Sequence, residues 1–294
     1  MKKADILIIG GGIAGIQAAK TACALGRSVL LIDRNPRLGG VLPQCTHRGF
    51  AGALTGPEYL AAQLADFPAE VQLRLSTAAL SVGSDKTAVL SSRADGVWRA
   101  AFSRLILATG CREVAAGALG LGGTRPEGVY TAGQAQALLN LEGIVPPGPI
   151  VILGSGDLGL IMAAQLREAG AEVAAIVEKK PLCGGLIKNR RRLEPLHIPL
   201  YTGASLRRLA GSPRLVAVEV LTEDGRALTI PCRSLLIAAG LQPEQSLVRD
   251  LGEPDWLYLC GNCRQIHTMV ESVAAQGAQA AMAASNEIGE EDYD

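Results

Sequence analysis

Aromatic side chains are scarce in this chain: two Trp, five Tyr and three Phe amount to 3% of 294 residues. So few rings leave little material for stacking the bases of a single strand. A surplus of either charge is also missing, because Lys plus Arg and Asp plus Glu each number 28. Net neutrality offers no general electrostatic footprint for nucleic acid. No apolar run reaches the roughly 18 residues that a membrane span needs. The apolar run after Met1-Lys2-Lys3-Ala4-Asp5 is too short and wrongly flanked for a signal peptide. Seven scattered cysteines, an odd number, fit a reducing cytosol better than a disulfide framework. What remains is 48% hydrophobic and 19% charged, enough to bury sizeable cores, and the length suggests about two domains.

Two glycine fingerprints stand in matching contexts. Gly10-Gly11-Gly12-Ile13-Ala14-Gly15 follows the apolar run Ile6–Ile9, and Gly154-Ser155-Gly156-Asp157-Leu158-Gly159 follows Ile150–Leu153. A lone GxGxxG is weak; one between a buried strand and an apolar helical pattern reads as a dinucleotide turn. Residues 5–33 read as β-α-β, with strands over Asp5–Ile9 and Ser28–Ile32 and a helix from Ala14 to Leu25. Asp33 closes the second strand, where an acidic residue accepts from a ribose diol. The glycines admit a pyrophosphate to the helix N-terminus, whose amides and dipole favour anions. The pattern recurs as a helix over Leu158–Ala169, Gly170, a strand over Glu172–Val177, and Glu178.

Between these modules, 34–50 reads as a loop and Pro57–Leu64 as a helix, followed by a meander from Val71 to Ala101. The buried strand Arg104–Gly110 ends in small residues. Thr131–Asn140 reads as a helix. A second meander over 201–230 leads to Ser234–Gly240, which echoes 105–110. A strand ends near Gly261-Asn262, and a helix runs from Thr268 to Glu287. The acidic tail 289–294 is expected to fray.

In this arrangement the chain resembles the two-dinucleotide-domain flavoproteins related to pyridine nucleotide-disulfide oxidoreductases, with the short architecture of thioredoxin reductase. The resemblance covers nearly the whole chain. It implies an α/β fold of two Rossmann-like, three-layer dinucleotide-binding domains, the second inserted in the first. Residues 1–112 and 241–294 would bind FAD and residues 113–240 NAD(P)H. FAD would contact Gly10, Gly12, Ala14, Gly15, Asp33, Arg34 and Gly40, together with Thr109, Gly110, Gly261, Asn262 and His267. Asn262 stands where the family's late Gly-Asp motif has Asp. NAD(P)H would contact Gly154, Gly156, Asp157, Leu158, Gly159, Glu178, Ala239 and Gly240. The loop 39–50, the run 154–162 and Cys260-Gly261-Asn262 with His267 are similar to a narrower group. These are bacterial flavoproteins encoded beside glycerol-3-phosphate or 2-hydroxyacid dehydrogenase-like partners, and flavin subunits of amino-acid and opine dehydrogenases. A flavoprotein or iron-sulfur partner subunit, or a small acceptor, is implied, in a cytoplasmic oxidoreductase.

Glu178 favours NADH, since a carboxylate there accepts from a free 2′-hydroxyl and repels a 2′-phosphate. Lys179, Lys180 and Arg190-Arg191-Arg192 are the counter-argument: they either hold a phosphate or form a solvated basic face. Cys45 and His47 share the loop that runs toward the flavin in the resembled family, and are candidate catalytic residues if the imidazole lowers the thiol's pKa. His197 has no motif around it. The resembled reductases need a cysteine pair facing the flavin, and both expected positions lack one. Cys260-Gly261-Asn262-Cys263 has redox or metal spacing, yet no second CxxC completes a zinc site; its alternative is a structural pair. Three functions stay open: a nicotinamide–flavin oxidoreductase, a thiol-disulfide reductase using Cys260/Cys263 or Cys45, and a non-catalytic flavin-bearing component of a complex.

Overall fold

Alternating apolar residues on short strands place one set of side chains on each face of a sheet, and in both halves of this chain the two sets feed separate cores. The structure, a computed structural model, describes residues 2–288; the acidic tail lies outside them. The chain forms two units, one running through Arg112 and resuming at Gln242, the other Glu113–Leu241. In chain order the helices are α1 (Ile13–Ala24), α2 (Gly56–Leu64), α3 (Ala132–Glu142), α4 (Asp157–Glu168), α5 (Ile187–Leu193) and α6 (Val270–Asn286).

In the first unit the sheet runs Gln72–Arg74, Val29–Ile32, Lys2–Ile9, Gly96–Leu107, Thr87–Ser92 and Thr77–Val82, with Leu257–Leu259 also on Gly96–Leu107. The strand Gly96–Leu107 does two jobs. Its start pairs antiparallel with Thr87–Ser92, and its end pairs parallel with Lys2–Ile9 and Leu257–Leu259. The last limb of the meander and the buried strand, read separately in the sequence, are therefore one continuous strand. Ile6, Ile8, Val29 and Leu31 face the alanines of α1 and α6, while Leu7, Ile9, Leu30 and Leu107 pack against Leu90, Phe102 and Trp256. Small residues let α1 and α6 approach closely: a Cβ on Gly277 would stand 2.1 Å from the Ala14 carbonyl oxygen.

In the second unit a parallel sheet runs Leu200–Tyr201, Val173–Val177, Ile150–Leu153, Ser234–Ile237 and Val129–Thr131. Ile150, Ile152, Ile176 and Leu236 face α3 and α4. On the other side, Val151, Val177, Leu235 and Ile237 pack on a second sheet containing Ser205–Ala210, Ala217–Leu221 and Ala227–Pro231. Helix, sheet and sheet make the three layers of this unit. A capping box of Thr131 and Gln134 starts α3. Helix α5 lies where the sequence shows only a run of cations.

Candidate functional site

Strand Lys2–Ile9 ends at Gly10, whose φ of +112° suits glycine. A Cβ on Gly10 would stand 2.3 Å from the Ala108 carbonyl oxygen, and one on Gly15 1.8 Å from that of Gly10. Only glycine lets the turn, the strand 96–107 and the helix meet this tightly. Gly12 differs: a Cβ there meets nothing within 4 Å. Gly12 is also the N-cap of α1, and no side chain caps that end. Open space above uncapped amides is the seat an anionic pyrophosphate needs.

Asp33 is buried at the end of the second strand. Its carboxylate accepts from the Gly11 N–H at 2.6 Å and the Asn35 N–H at 2.7 Å. The acid is thereby locked against the glycine turn. Gly39 donates to the Gly11 carbonyl at 2.7 Å, and a Cβ on Gly40 would stand 3.2 Å from Gly12 Cα, so this loop folds over the turn. Thr109 Oγ1 donates to the Glu244 carbonyl at 2.5 Å, and Gly110 accepts from the Glu244 N–H at 3.0 Å. The Glu244 carboxyl is held below its usual range by hydrogen bonds from Ser246, with Arg112 and Arg34 adding their charge.

Ala14 packs beneath Gly261, whose N–H donates to Gln276 Oε1 at 2.9 Å. Asn262 Oδ1 accepts from the His267 N–H at 2.9 Å. His267 Nε2 is buried with no hydrogen-bond partner among the described residues. A polar atom in that state is available to a ligand.

The Cys45 thiol is buried and donates to the Val41 carbonyl at 3.2 Å. Burial pushes its pKa up to about 11, which leaves little thiolate at neutral pH. The His47 ring lies 5.3 Å from that of Phe50. Cys263 donates to the carbonyls of Leu107 at 2.9 Å and Cys260 at 3.1 Å, and Cys260 Sγ lies 3.7 Å from the Leu107 oxygen. Both thiols are buried, and burial pushes both upward. The two thiols lie under the end of the strand Leu257–Leu259. Among the described residues no two cysteines form a disulfide.

The second unit repeats the first. Gly154 has φ +104°, and a Cβ there would stand 2.4 Å from the Ala238 carbonyl oxygen. A Cβ on Gly159 would stand 2.3 Å from the Gly154 oxygen, whereas Gly156, the uncapped N-cap of α4, again faces open space. Leu158 packs against the core below α4. Glu178 is buried and accepts from the Ser155 N–H at 2.8 Å, the Ser155 hydroxyl at 2.7 Å and the Lys180 N–H at 2.9 Å. Burial alone would raise its pKa; these hydrogen bonds and the Lys180 charge outweigh it and hold the carboxyl below the usual range. Asp157 Oδ1 accepts from the Leu186 N–H at 2.7 Å and Asn189 Nδ2 at 2.6 Å. Gly240, after Ala239, has φ +119° and accepts from the Val114 N–H at 3.0 Å.

Of the basic run, Arg192 pairs with Glu168 at 2.6 Å, and Arg190 donates to the Gly184 and Gly185 carbonyls. Ser155, Gly184 and Gly185 line the second turn, and the sequence reading did not name them as candidates. Their signal was present: Asp33-Arg-Asn-Pro36-Arg-Leu-Gly39-Gly40 recurs as Glu178-Lys-Lys-Pro181-Leu-Cys-Gly184-Gly185.

An opine oxidase subunit of Agrobacterium tumefaciens (strain Ach5) is 30% identical over 283 residues, 86% of this chain and 55% of that protein. The alpha subunit of sarcosine oxidase from Rhizobium meliloti (strain 1021) is 30% identical over 268 residues, 86% of this chain and 26% of that one. The chain thus spans about half the length of the first relative and a quarter of the second. In fold it is similar to the thioredoxin reductase of T. acidophilum, at TM-score 0.80 and 19% identity over 98% of this chain and 99% of that one. A family model described as pyridine nucleotide-disulphide oxidoreductase matches residues 4–276. A match that runs from the first strand into α6 decides the matter: this chain belongs to the pyridine nucleotide-disulphide oxidoreductase family.

Proposed function

We propose that the chain is an FAD-dependent NAD(P)H oxidoreductase, with FAD at Gly10–Gly15 and NADH at Gly154–Gly159. The observation that carries this reading is the pair of turns at Gly12 and Gly156, each an uncapped helix end facing open space with a buried acid beside it. When bound, the flavin supplies hydride and single-electron chemistry that no side chain provides. The chain's part is to bind and orient. The amides of α1 and α4 take pyrophosphates, and Asp33 and Glu178 take adenosine ribose hydroxyls. Gly261, Asn262 and His267 offer polar atoms to the rest of the flavin. Glu178 selects NADH, because a lowered pKa keeps it charged and a 2′-phosphate would meet a buried carboxylate.

The electrons pass to or from a partner protein or a small acceptor. The relatives' names as subunits of opine and sarcosine oxidases support the partner. The absence of a disulfide among seven cysteines supports a cytoplasmic protein. Protonated, buried thiols at Cys45, Cys260 and Cys263 count against thiol-disulfide exchange. The test is an anaerobic visible spectrum of the purified protein titrated with NADH, then NADPH. Bleaching of a flavin band by NADH at much lower concentration than by NADPH is expected. Bound flavin that neither reduces would shift the reading to a non-catalytic component of a complex, and no flavin would overturn it.

A further inference from the structure

The two acid-to-glycine segments, 33–40 and 178–185, repeat one another in sequence but differ in the balance of burial and hydrogen bonding that fastens them. In the first unit the segment is pinned by burial. Leu42, just past Gly40, is 4% exposed, and a Cβ on Gly39 would stand 2.3 Å from the Leu60 side chain of α2. In the second unit the apolar side chains point to water: Leu182, Leu186 and Ile187 are 76%, 48% and 65% exposed. That segment is held over its turn by hydrogen bonds. Gly184 donates to Ser155 Oγ at 2.7 Å, Leu186 and Asn189 donate to Asp157 Oδ1, and Arg190 Nε donates to the Gly184 carbonyl at 2.8 Å. At the position of Ser155 the first turn has Gly11, which offers no side chain.

We infer that residues 181–189 form a strap over the second dinucleotide seat, with Ser155 and Asp157 as positioning residues that latch it. The strap lifts to admit and release the nicotinamide dinucleotide, while its counterpart at 36–44 stays shut over a resident cofactor. This rests on the proposal that the second seat binds NADH. Exchanging a hydrogen bond for one to water is nearly balanced, whereas exposing a buried leucine is not. Lifting the second strap breaks hydrogen bonds and uncovers Leu160 beside Gly185 and the partly buried Cys183, while its three exposed apolar side chains lose nothing. A Cβ on Gly184 would stand 3.0 Å from the Ser155 carbonyl oxygen, so the closed strap lies directly against the fingerprint, beside the open face of Gly156.

Hydrogen–deuterium exchange on the whole protein tests this, with and without NADH, beside stopped-flow NADH release. The amides of Gly184 and Leu186 are expected to exchange much faster than that of Gly39 in the free protein, and to slow when NADH is added. Asn189→Ala and Ser155→Gly should each speed NADH release roughly tenfold, the scale of one lost charge-assisted hydrogen bond, with flavin content unchanged. If the wild type binds NADH but these amides exchange as slowly as Gly39, or if both variants release NADH at the wild-type rate, the strap is refuted. A wild type that binds neither nicotinamide refutes the functional reading instead, and the strap with it.

Discussion

Single carboxylates and thiols carry sharply different burdens in this chain. Glu178 has a depressed folded pKa, so its stabilising hydrogen bonds are fully present above its ordinary value of 4.5 and are lost as pH falls through the lowered value. Thermal melts of the wild type should therefore lose stability in that acid window. Glu178→Gln should be destabilised by about 1–3 kcal/mol at neutral pH and converge on the wild type in acid. A variant whose melting curve keeps the wild-type pH profile would show that the Ser155–Glu178 contact contributes nothing. The thiols make the opposite case. Burial puts Cys45 at about 11 and Cys232 at about 12 and pushes Cys260 and Cys263 upward. None of these four should react with a disulfide reagent at pH 8 in the native protein, and all seven thiols should titrate after denaturation. Rapid native labelling of Cys45 or Cys263 would restore the thiol-disulfide reading. From the sequence alone, Cys45 and His47 offer a plausible thiolate. Burial is set by α2 and the loop before it, and no local pattern reports it.

At the scale of elements, glycines in one fingerprint do unlike work. A Cβ on Gly15 collides with the Gly10 carbonyl, whereas one on Gly12 meets only the open seat. Gly15→Ala should cost about 1–3 kcal/mol of stability through overpacking. Gly12→Ala should cost about 1 kcal/mol or less, as a change of N-cap, and still lose FAD. Melting temperature and flavin absorbance, measured on the same preparations, separate the two effects. Equal flavin content in Gly12→Ala and wild type would mean that no pyrophosphate sits at that helix end. The β-α-β modules were legible because period-2 and period-3.6 patterns meet at a glycine run. Helix α5 was not, because its seven residues carry four cations and none of its side chains is buried. Contacts remote in sequence hold α5 in place: Asn189 with Asp157, Arg192 with Glu168, and Leu193 against the core.

At the scale of the whole molecule, the first unit is assembled from both ends of the chain. Strand Leu257–Leu259 completes the sheet begun by Lys2–Ile9, and α6 covers α1. Family relatives that are subunits of larger oxidases motivate one further expectation. The tagged full-length chain should co-purify with a second polypeptide at fixed stoichiometry, and acceptor reduction by NADH should appear only with that polypeptide present. Acceptor turnover at full rate by the isolated chain would exclude an obligatory partner.

The sequence by itself determined the two glycine turns, the acids that close their second strands and the α/β character of both units. Each of these is written in a contiguous stretch of about 30 residues, where strand, turn and helix are all local. Only the tertiary structure decided which thiols are buried, that Ser155 ties Glu178 to Gly184, and that one glycine segment buries Leu42 while its repeat leaves Leu182, Leu186 and Ile187 exposed. Those outcomes depend on burial and on partners 20 or more residues away, and burial is a property of the packed molecule.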